Sequence, residues 1–296
     1  MWPLRTMLFI PAHKLDWVKK VDRYQPDAVI LDLEDAVPID LKEDARKIAR
    51  QAIKILDGFG IAPFVRINSL AQNGADDVLA VVSKQLAGVM LPKADNEEEI
   101  RELDQLLCFG EGRVGLPMGS IKILPIPETP TGMWAARDLA LASSRCQGIV
   151  TVMGGPVSGD VARAMGYLPT VDGREQIFLT SKMVLDSRAG DALYPMASII
   201  GTDIDDLDMV RRLALRAKHA GFSGAVLIHP SHVAVAADVF IPSEEEVAYY
   251  AGLVKVMEEA VARGDAAIRY KGRMVDYAMV PLAKEILREA ERRKRR

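Results

Sequence analysis

Eight short aliphatic runs recur along this chain, each separated from the next by room for one helix: "TMLFIPA", "DAVILDLED", "PFVRINS", "GVMLPKA", "IKILPIPET", "GIVTVMGG", "YPMASIIG" and "GAVLIHP". Between them lie amphipathic segments of helix length, such as 39–57, 96–107, 132–143, 173–189 and 205–220. Strands that alternate with helices build βαβ units on a parallel sheet. Eight rounds within about 230 residues suit one closed (β/α)₈ TIM barrel better than an open, doubly wound sheet. No Gly/Ser-rich or Pro-rich linker and no short-period repeat divides the chain, so residues 1–241 are expected to form a single barrel. Residues 242–296 read differently. Ser243 followed by three Glu predicts a capped helix, "DAAIRYKGRMVDYAMV" reads as short and turn-like, and a charged helix is expected to finish the chain.

The stretch "AVILDLEDAVPIDLKEDARK" sets Asp32, Glu34 and Asp35 directly behind a buried strand. A carboxylate near the core costs several kcal/mol, on the order of 3–5, unless it is paired, hydrogen-bonded or bound to a cation. A positive partner is therefore expected close by. The active site of a barrel lies at the carboxyl ends of its strands, and polar residues collect there. Arg66, Asn68 and Ser69 end the third run, Lys93 and Asp95 the fourth, Glu128 and Thr129 the fifth; Asp160 follows the sixth through "GGPVSG", and His229 ends the eighth. Taken singly, Lys93, Asp95 and Thr129 read as loop residues or helix caps, and His229 as a structural hydrogen-bonding group. His13, His219 and His232 read as incidental. Acids from several strands facing one Arg are harder to explain as loop decoration. Carboxylates without a His or Cys cluster suit a hard cation such as Mg²⁺. With a guanidinium, such an ion can hold a keto acid and stabilise an enolate. No P-loop or dinucleotide fingerprint follows any strand.

A formal net charge of −3 gives no reason to expect nucleic acid or an anionic membrane as a partner. The basic "ERRKRR" at the end reads as a solvated helix terminus. No run approaches the roughly eighteen apolar residues of a membrane span. Cys108 and Cys146 lack metal-ligand spacing and read as free thiols of a reducing compartment, so a cytoplasmic location is expected.

The blocks "LFIPAHKLDWVKKV", "AVILDLEDAVPIDLKEDAR", "FVRINS", "LPKAD", "PIPETPTGM", "GDVARAMGY", "IHPSHV" and "GRMVDYAMV", in this order, resemble the citrate lyase beta subunit-like branch of the HpcH/HpaI aldolase family. The resemblance implies a barrel of the phosphoenolpyruvate/pyruvate type, assembled as a homo-oligomer (trimer or hexamer). It implies Mg²⁺-dependent carbon–carbon cleavage or formation on a thioester such as citryl-, malyl- or citramalyl-CoA. It assigns Glu128 and Asp160 as metal ligands, Arg66 as the clamp on substrate oxygen, and Glu34 and Asp35 as the acidic pair beside the metal or Arg66. It places Asp276, on a lid contacting a neighbouring subunit, as an acid/base, and points to Lys14 and Lys19 for the CoA. Alternatives within the resemblance are a malyl-CoA thioesterase, an aldolase on free hydroxy-keto acids, and a subunit of a citrate lyase-like complex acting on an acyl-carrier-protein thioester. The seventh strand reads "LYPMASII" where many members carry an Asp, a difference expected to shape the pocket.

Overall fold

Each of the eight aliphatic runs forms a strand: β1 (Thr6–Pro11), β2 (Ala28–Asp32), β3 (Ala62–Arg66), β4 (Gly88–Pro92), β5 (Lys122–Ile126), β6 (Val150–Gly154), β7 (Met196–Ile200) and β8 (Gly224–Leu227). They pair in parallel in the order β5-β4-β3-β2-β1-β8-β7-β6. Between β5 and β6 the ladder is reduced to one bridge, Ile123 to Cys146. There the Ile123 amide donates to the Arg145 carbonyl (3.0 Å) and Gln147 donates to Ile123 (3.2 Å). The result is a nearly closed barrel. This computed structural model describes residues 2–156, 159–200 and 203–294, and the chain divides into two compact units between Phe240 and Ile241.

Alternation along the strands sorts side chains to two layers. Met7, Ile30, Phe64, Met90, Leu124, Val150, Met196 and Val226, one from each strand, form the inner cluster. Gly88 makes room for the Phe64 ring, which a Cβ at that position would strike. Trp2 packs edge-on to Phe64 and stacks on Tyr194. The opposite strand faces (Val29, Leu31, Val65, Val89, Ile123, Ala197, Leu227) pack against the helices.

Those helices are α1 (Leu15–Val18), α2 (Lys42–Gly58), α3 (Gly74–Val81), α4 (Glu97–Val114), α5 (Pro130–Trp134), α6 (Ala136–Leu141), α7 (Asp160–Met165), α8 (Ile177–Ala189), α9 (Leu207–Ala220) and α10 (His232–Phe240). Segment 132–143, read as one helix, is divided at Ala135 into α5 and α6. Residues 157 and 158 of "GGPVSG" and Gly201 of the seventh run lie outside the described residues.

The second unit opens with α11 (Glu244–Ala262). Ser243 caps it in a reciprocal box: the Glu246 amide donates to Ser243 Oγ (3.0 Å) and the Ser243 amide to Glu246 Oε2 (2.8 Å). The segment read as turn-like is instead a β-hairpin, β9 (Ala267–Tyr270) against β10 (Arg273–Asp276). Lys271 and Gly272 both take positive φ (44° and 82°), as a two-residue hairpin turn whose twist matches its strands requires. The charged helix α12 (Val280–Lys294) ends the described chain, and the last two residues of "ERRKRR" lie beyond it. Leu253, Met257, Val275, Val280 and Ala283 form this unit's core. Among the described residues no helix is long and apolar enough to cross a membrane.

Candidate active site

Continuing the inward alternation beyond the apolar layer brings Asp32, Arg66 and Glu128 to the carboxyl mouth. β2 and β3 pair with Asp32 beside Arg66. Arg66 therefore meets Asp32 in a fork, Nε to Oδ1 at 2.7 Å and Nη2 to Oδ2 at 2.6 Å. The same carboxylate accepts the amides of Glu34 (2.9 Å) and Ala36 (3.2 Å), so it also shapes the loop after β2. Glu34 Oε2 lies 3.0 Å from Arg66 Nη1, and Phe9 lies beneath the guanidinium at 4.8 Å. Burial works against the charge on Arg66, but the hydrogen bonds and charge of Asp32, with Glu34 and Glu128, outweigh it and raise its pKa. From α2, Lys42 Nζ ties down the loop through Leu33 O (2.8 Å), Glu34 O (3.0 Å) and Asn68 Oδ1 (2.7 Å). The negative charge behind β2 is thus met by two cations, Arg66 and Lys93, while Lys42 braces the loop that carries it.

Of the two, Lys93 is the one that sequence alone reads as a loop residue. Its Nζ donates to Glu34 Oε1 (2.6 Å) and lies 3.8 Å from Asp35, while its amide donates to Glu128 Oε1 (3.2 Å). Its backbone is left-handed at φ 51°. Burial, then the charge of Glu34, push the Glu128 carboxyl up to about 7, against the pull of Arg66 and Lys93. Thr129 fits its expected capping role, its hydroxyl accepting the Gly132 amide (3.1 Å) at the start of α5 and donating to Asp95, a loop residue just before the α4 cap Asn96.

A cavity of about 400 Å³ opens over these groups. Asp32, Asp35, Arg66, Glu128 and Asp160 line it, so five acids and bases foreseen at strand ends share one space. Glu34 touches Arg66 and Lys93 at its edge. Asp160 opens α7 and meets Arg163 at 3.0 Å. Lys14 and Lys19 are exposed at the two ends of α1 and do not line the cavity, although Trp17 between them does. Asp276 lies in the second unit, exposed at the end of β10, and its carboxylate accepts the Ala278 amide at 3.0 Å. His229 bonds Ser231 Oγ through Nδ1 (2.7 Å), a local contact as expected.

Phe9, Ser198, Ile200 and Ile228 also line the cavity and were not foreseen as site residues. The signal for Ser198 and Ile200 was present, since they share inward parity with Met196 on β7. Where an Asp was conspicuous by resemblance, the strand offers a hydroxyl and an aliphatic wall.

The donor set suits one cation type. Among the described residues no group of three or more His, Cys, Asp or Glu is spaced to enclose an ion, which disfavours a closed zinc-type cage. Two cavity carboxylates, Glu128 and Asp160, match a hard ion that keeps water and takes substrate oxygens. The raised proton affinity of Glu128 marks a carboxylate that a cation would relieve.

Fold and site together define a (β/α)₈ enzyme with an acid-rich mouth arranged around a fixed guanidinium. Residues 5–230 match the HpcH/HpaI aldolase/citrate lyase family, and the chain belongs to that family. It is similar to the citrate lyase subunit beta-like protein of Deinococcus radiodurans, at 33% identity over 96% of each chain. It is also similar to the L-malyl-CoA/beta-methylmalyl-CoA lyase of Cereibacter sphaeroides, at 30% identity over 98% of this chain and 95% of that one. Among solved structures, CitE of Mycobacterium tuberculosis in complex with magnesium, acetoacetate and coenzyme A superposes with a TM-score of 0.75 at 25% identity, covering 98% of this chain and 99% of that one. These relatives are lyases, and so is this chain.

Proposed function

We propose that this lyase cleaves or forms a carbon–carbon bond in a β-hydroxyacyl-CoA thioester of the malyl, citramalyl or citryl type, with Mg²⁺. The observation that carries the reading is the single cavity shared by Glu128, Asp160 and an Arg66 locked in place by Asp32. Relatives named for malyl-CoA cleavage, and a structural neighbour holding magnesium and coenzyme A, support it.

Glu128 and Asp160 would hold the ion, which when bound supplies Lewis acidity toward the oxygens of the keto-acid half. In the cleavage direction the hydroxyl gives its proton to a cavity carboxylate, a role open to Asp35, its carbon becomes a carbonyl, and the electron pair of the broken bond passes into the thioester as an enolate. Arg66 supplies fixed positive charge where oxygen becomes negative. Because Asp32 holds Nε and Nη2, the guanidinium needs no reorganisation as that charge develops. Phe9, Ile200 and Ile228 limit water around the reacting carbons.

Asp276 is assigned as the acid/base that delivers a proton to the enolate carbon, acting from a lid on a neighbouring copy in a homo-oligomer, trimer or hexamer. Its setting supports this: an exposed carboxylate between Met274 and Tyr277, which are 77% and 62% exposed. Apolar side chains so placed suit closure over a second surface. Asp276→Ala is expected to reduce kcat by about 10²-fold or more, the scale of a lost general acid. Mg²⁺ affinity, read by calorimetry, should stay within about twofold, since the variant removes a proton donor and no ligand. Unchanged turnover would remove Asp276 from the mechanism.

The free thiols Cys108 and Cys146 fit work in the cytoplasm. The deciding assay is a panel of short hydroxyacyl-CoA esters, with Mg²⁺ or with chelator, read by mass spectrometry. A keto acid and a shorter acyl-CoA should appear only with Mg²⁺. Free CoA beside intact hydroxy acid, or turnover that needs an acyl-carrier protein, would overturn the proposal.

A further inference from the structure

Glu34 and Glu128 are two carboxylates at one mouth, and both interact with Arg66 and Lys93. What keeps their tasks separate is a matter of hydrogen bonding. Glu34 Oε2 faces Arg66 Nη1 at 3.0 Å but makes no hydrogen bond there. Among the described residues, its carboxylate has a single side-chain hydrogen bond, Lys93 Nζ to Oε1 at 2.6 Å. Lys93 also reaches Glu128, through its own amide. Both contacts come from one residue whose backbone adopts φ 51°, a conformation uncommon for residues other than glycine.

We propose that Lys93 is a positioning residue that pins Glu34 against Arg66 and away from the divalent ion, leaving Glu128 as the ligand and a coordination position for substrate. Without the ammonium, Glu34 is a buried carboxylate left with Arg66 Nη1 at 3.0 Å, on a guanidinium whose Nε and Nη2 are already taken by Asp32. It then has reason to turn toward the divalent ion, which can take a further carboxylate oxygen as ligand. The ion would be held more tightly and used less well. Loss of a positive charge beside the site acts in the same direction.

This rests on the Mg²⁺ site at Glu128 and Asp160, and the experiment separates the two claims. Mg²⁺ binding is measured by calorimetry, and Mn²⁺ binding by electron paramagnetic resonance, on wild type and on Glu128→Ala, Lys93→Met, Lys93→Gly and Lys93→Arg. Wild type should bind and Glu128→Ala should not; failure of either overturns the site and this inference with it. Given that result, Lys93→Met and Lys93→Gly should bind the ion roughly threefold to tenfold more tightly. Their kcat/KM should fall on the order of a hundredfold, with KM rising. Lys93→Arg should restore both values toward wild type. Lys93→Gly accepts the left-handed backbone without strain, so its agreement with Lys93→Met assigns the effect to the side chain. Weaker metal binding with lost activity, as plain structural damage gives, would overturn the role of Lys93 while leaving the metal site standing, and so would unchanged kcat/KM.

Discussion

Glu128→Gln is expected to lower kcat/KM on the order of 10³-fold, equivalent to the several kcal/mol that a Lewis-acid ion contributes. The substitution keeps size and hydrogen bonding but removes the charge a hard cation requires. Its other consequence is a change in pH dependence. In the fold this carboxyl is raised from 4.5 to about 7, by burial and then by Glu34. Between those values the native chain holds a proton that the unfolded chain has released, so the metal-free protein loses stability as pH rises through that window. Mg²⁺ reverses the sign, because it binds the ionised form and stabilises the native state by mass action. The gain in Tm on adding Mg²⁺ should therefore be small at pH 6 and full at pH 8. Glu128→Gln should show little gain at either pH. Without metal at pH 8 it should be at least as stable as wild type, having lost a carboxylate repelled by Glu34. Thermal unfolding of both proteins at the two pH values, with Mg²⁺ or chelator, decides the matter. Equal Mg²⁺-dependent gains in variant and wild type would move the ion elsewhere.

The barrel and the location of its mouth were legible because each depends on local pattern. Aliphatic runs at helix-sized intervals define the rounds, and period-two parity carries Ile30 to Asp32 and Phe64 to Arg66 on the inner face. Partner choice was not legible. Nothing in "AVILDLED" or "LPKAD" says that Asp32, rather than Asp35, takes both nitrogens of Arg66; that follows from the β2–β3 register, a relation between distant segments. Lys93 was discounted for a similar reason, since its role depends on a positive φ and on two acids 59 and 35 residues away. The β9–β10 hairpin was missed because "YKGR" is a weaker turn signal than Asn-Gly. Lys14 and Lys19 were drawn from resemblance alone, and they flank a cavity-lining Trp17 without lining the cavity themselves.

The buried charge cluster at the β5–β6 gap was also invisible in sequence, and it supports the largest expected effect on stability. Arg145 is 2% exposed and Glu111 fully buried. They meet in a fork, Nη1 to Oε1 and Nη2 to Oε2, both 2.7 Å. Glu111 also accepts the amides of Ile121 (2.7 Å) and Gly119 (3.0 Å) just before β5, and Arg145 donates to Ile121 O (2.9 Å) and to Asp104. The Arg145 carbonyl accepts one of the few backbone bonds that cross the gap. Side-chain charge therefore fastens the barrel where the strand ladder is thinnest. Glu111→Ala strands a guanidinium with half its partners and leaves two amides unsatisfied, a loss of about 3–5 kcal/mol. For a unit of this size that corresponds to a fall in Tm on the order of 10 °C. Burial opposes ionisation of Glu111, but Arg145 and the two amides overcome it and hold its carboxyl below the ordinary range. Its contribution is therefore present at neutral pH and lost as pH falls through that lowered value, so the gap between wild type and Glu111→Ala should narrow in acid. Replacing both members, Glu111→Leu with Arg145→Met, should recover the part of the loss that comes from the stranded guanidinium, while the Ile121 and Gly119 amides stay without their acceptor. Denaturant unfolding of wild type and the two variants at pH 7 and pH 4 measures each expectation, and a Glu111→Ala protein within about 1 kcal/mol of wild type at pH 7 would show that the gap is held by other contacts.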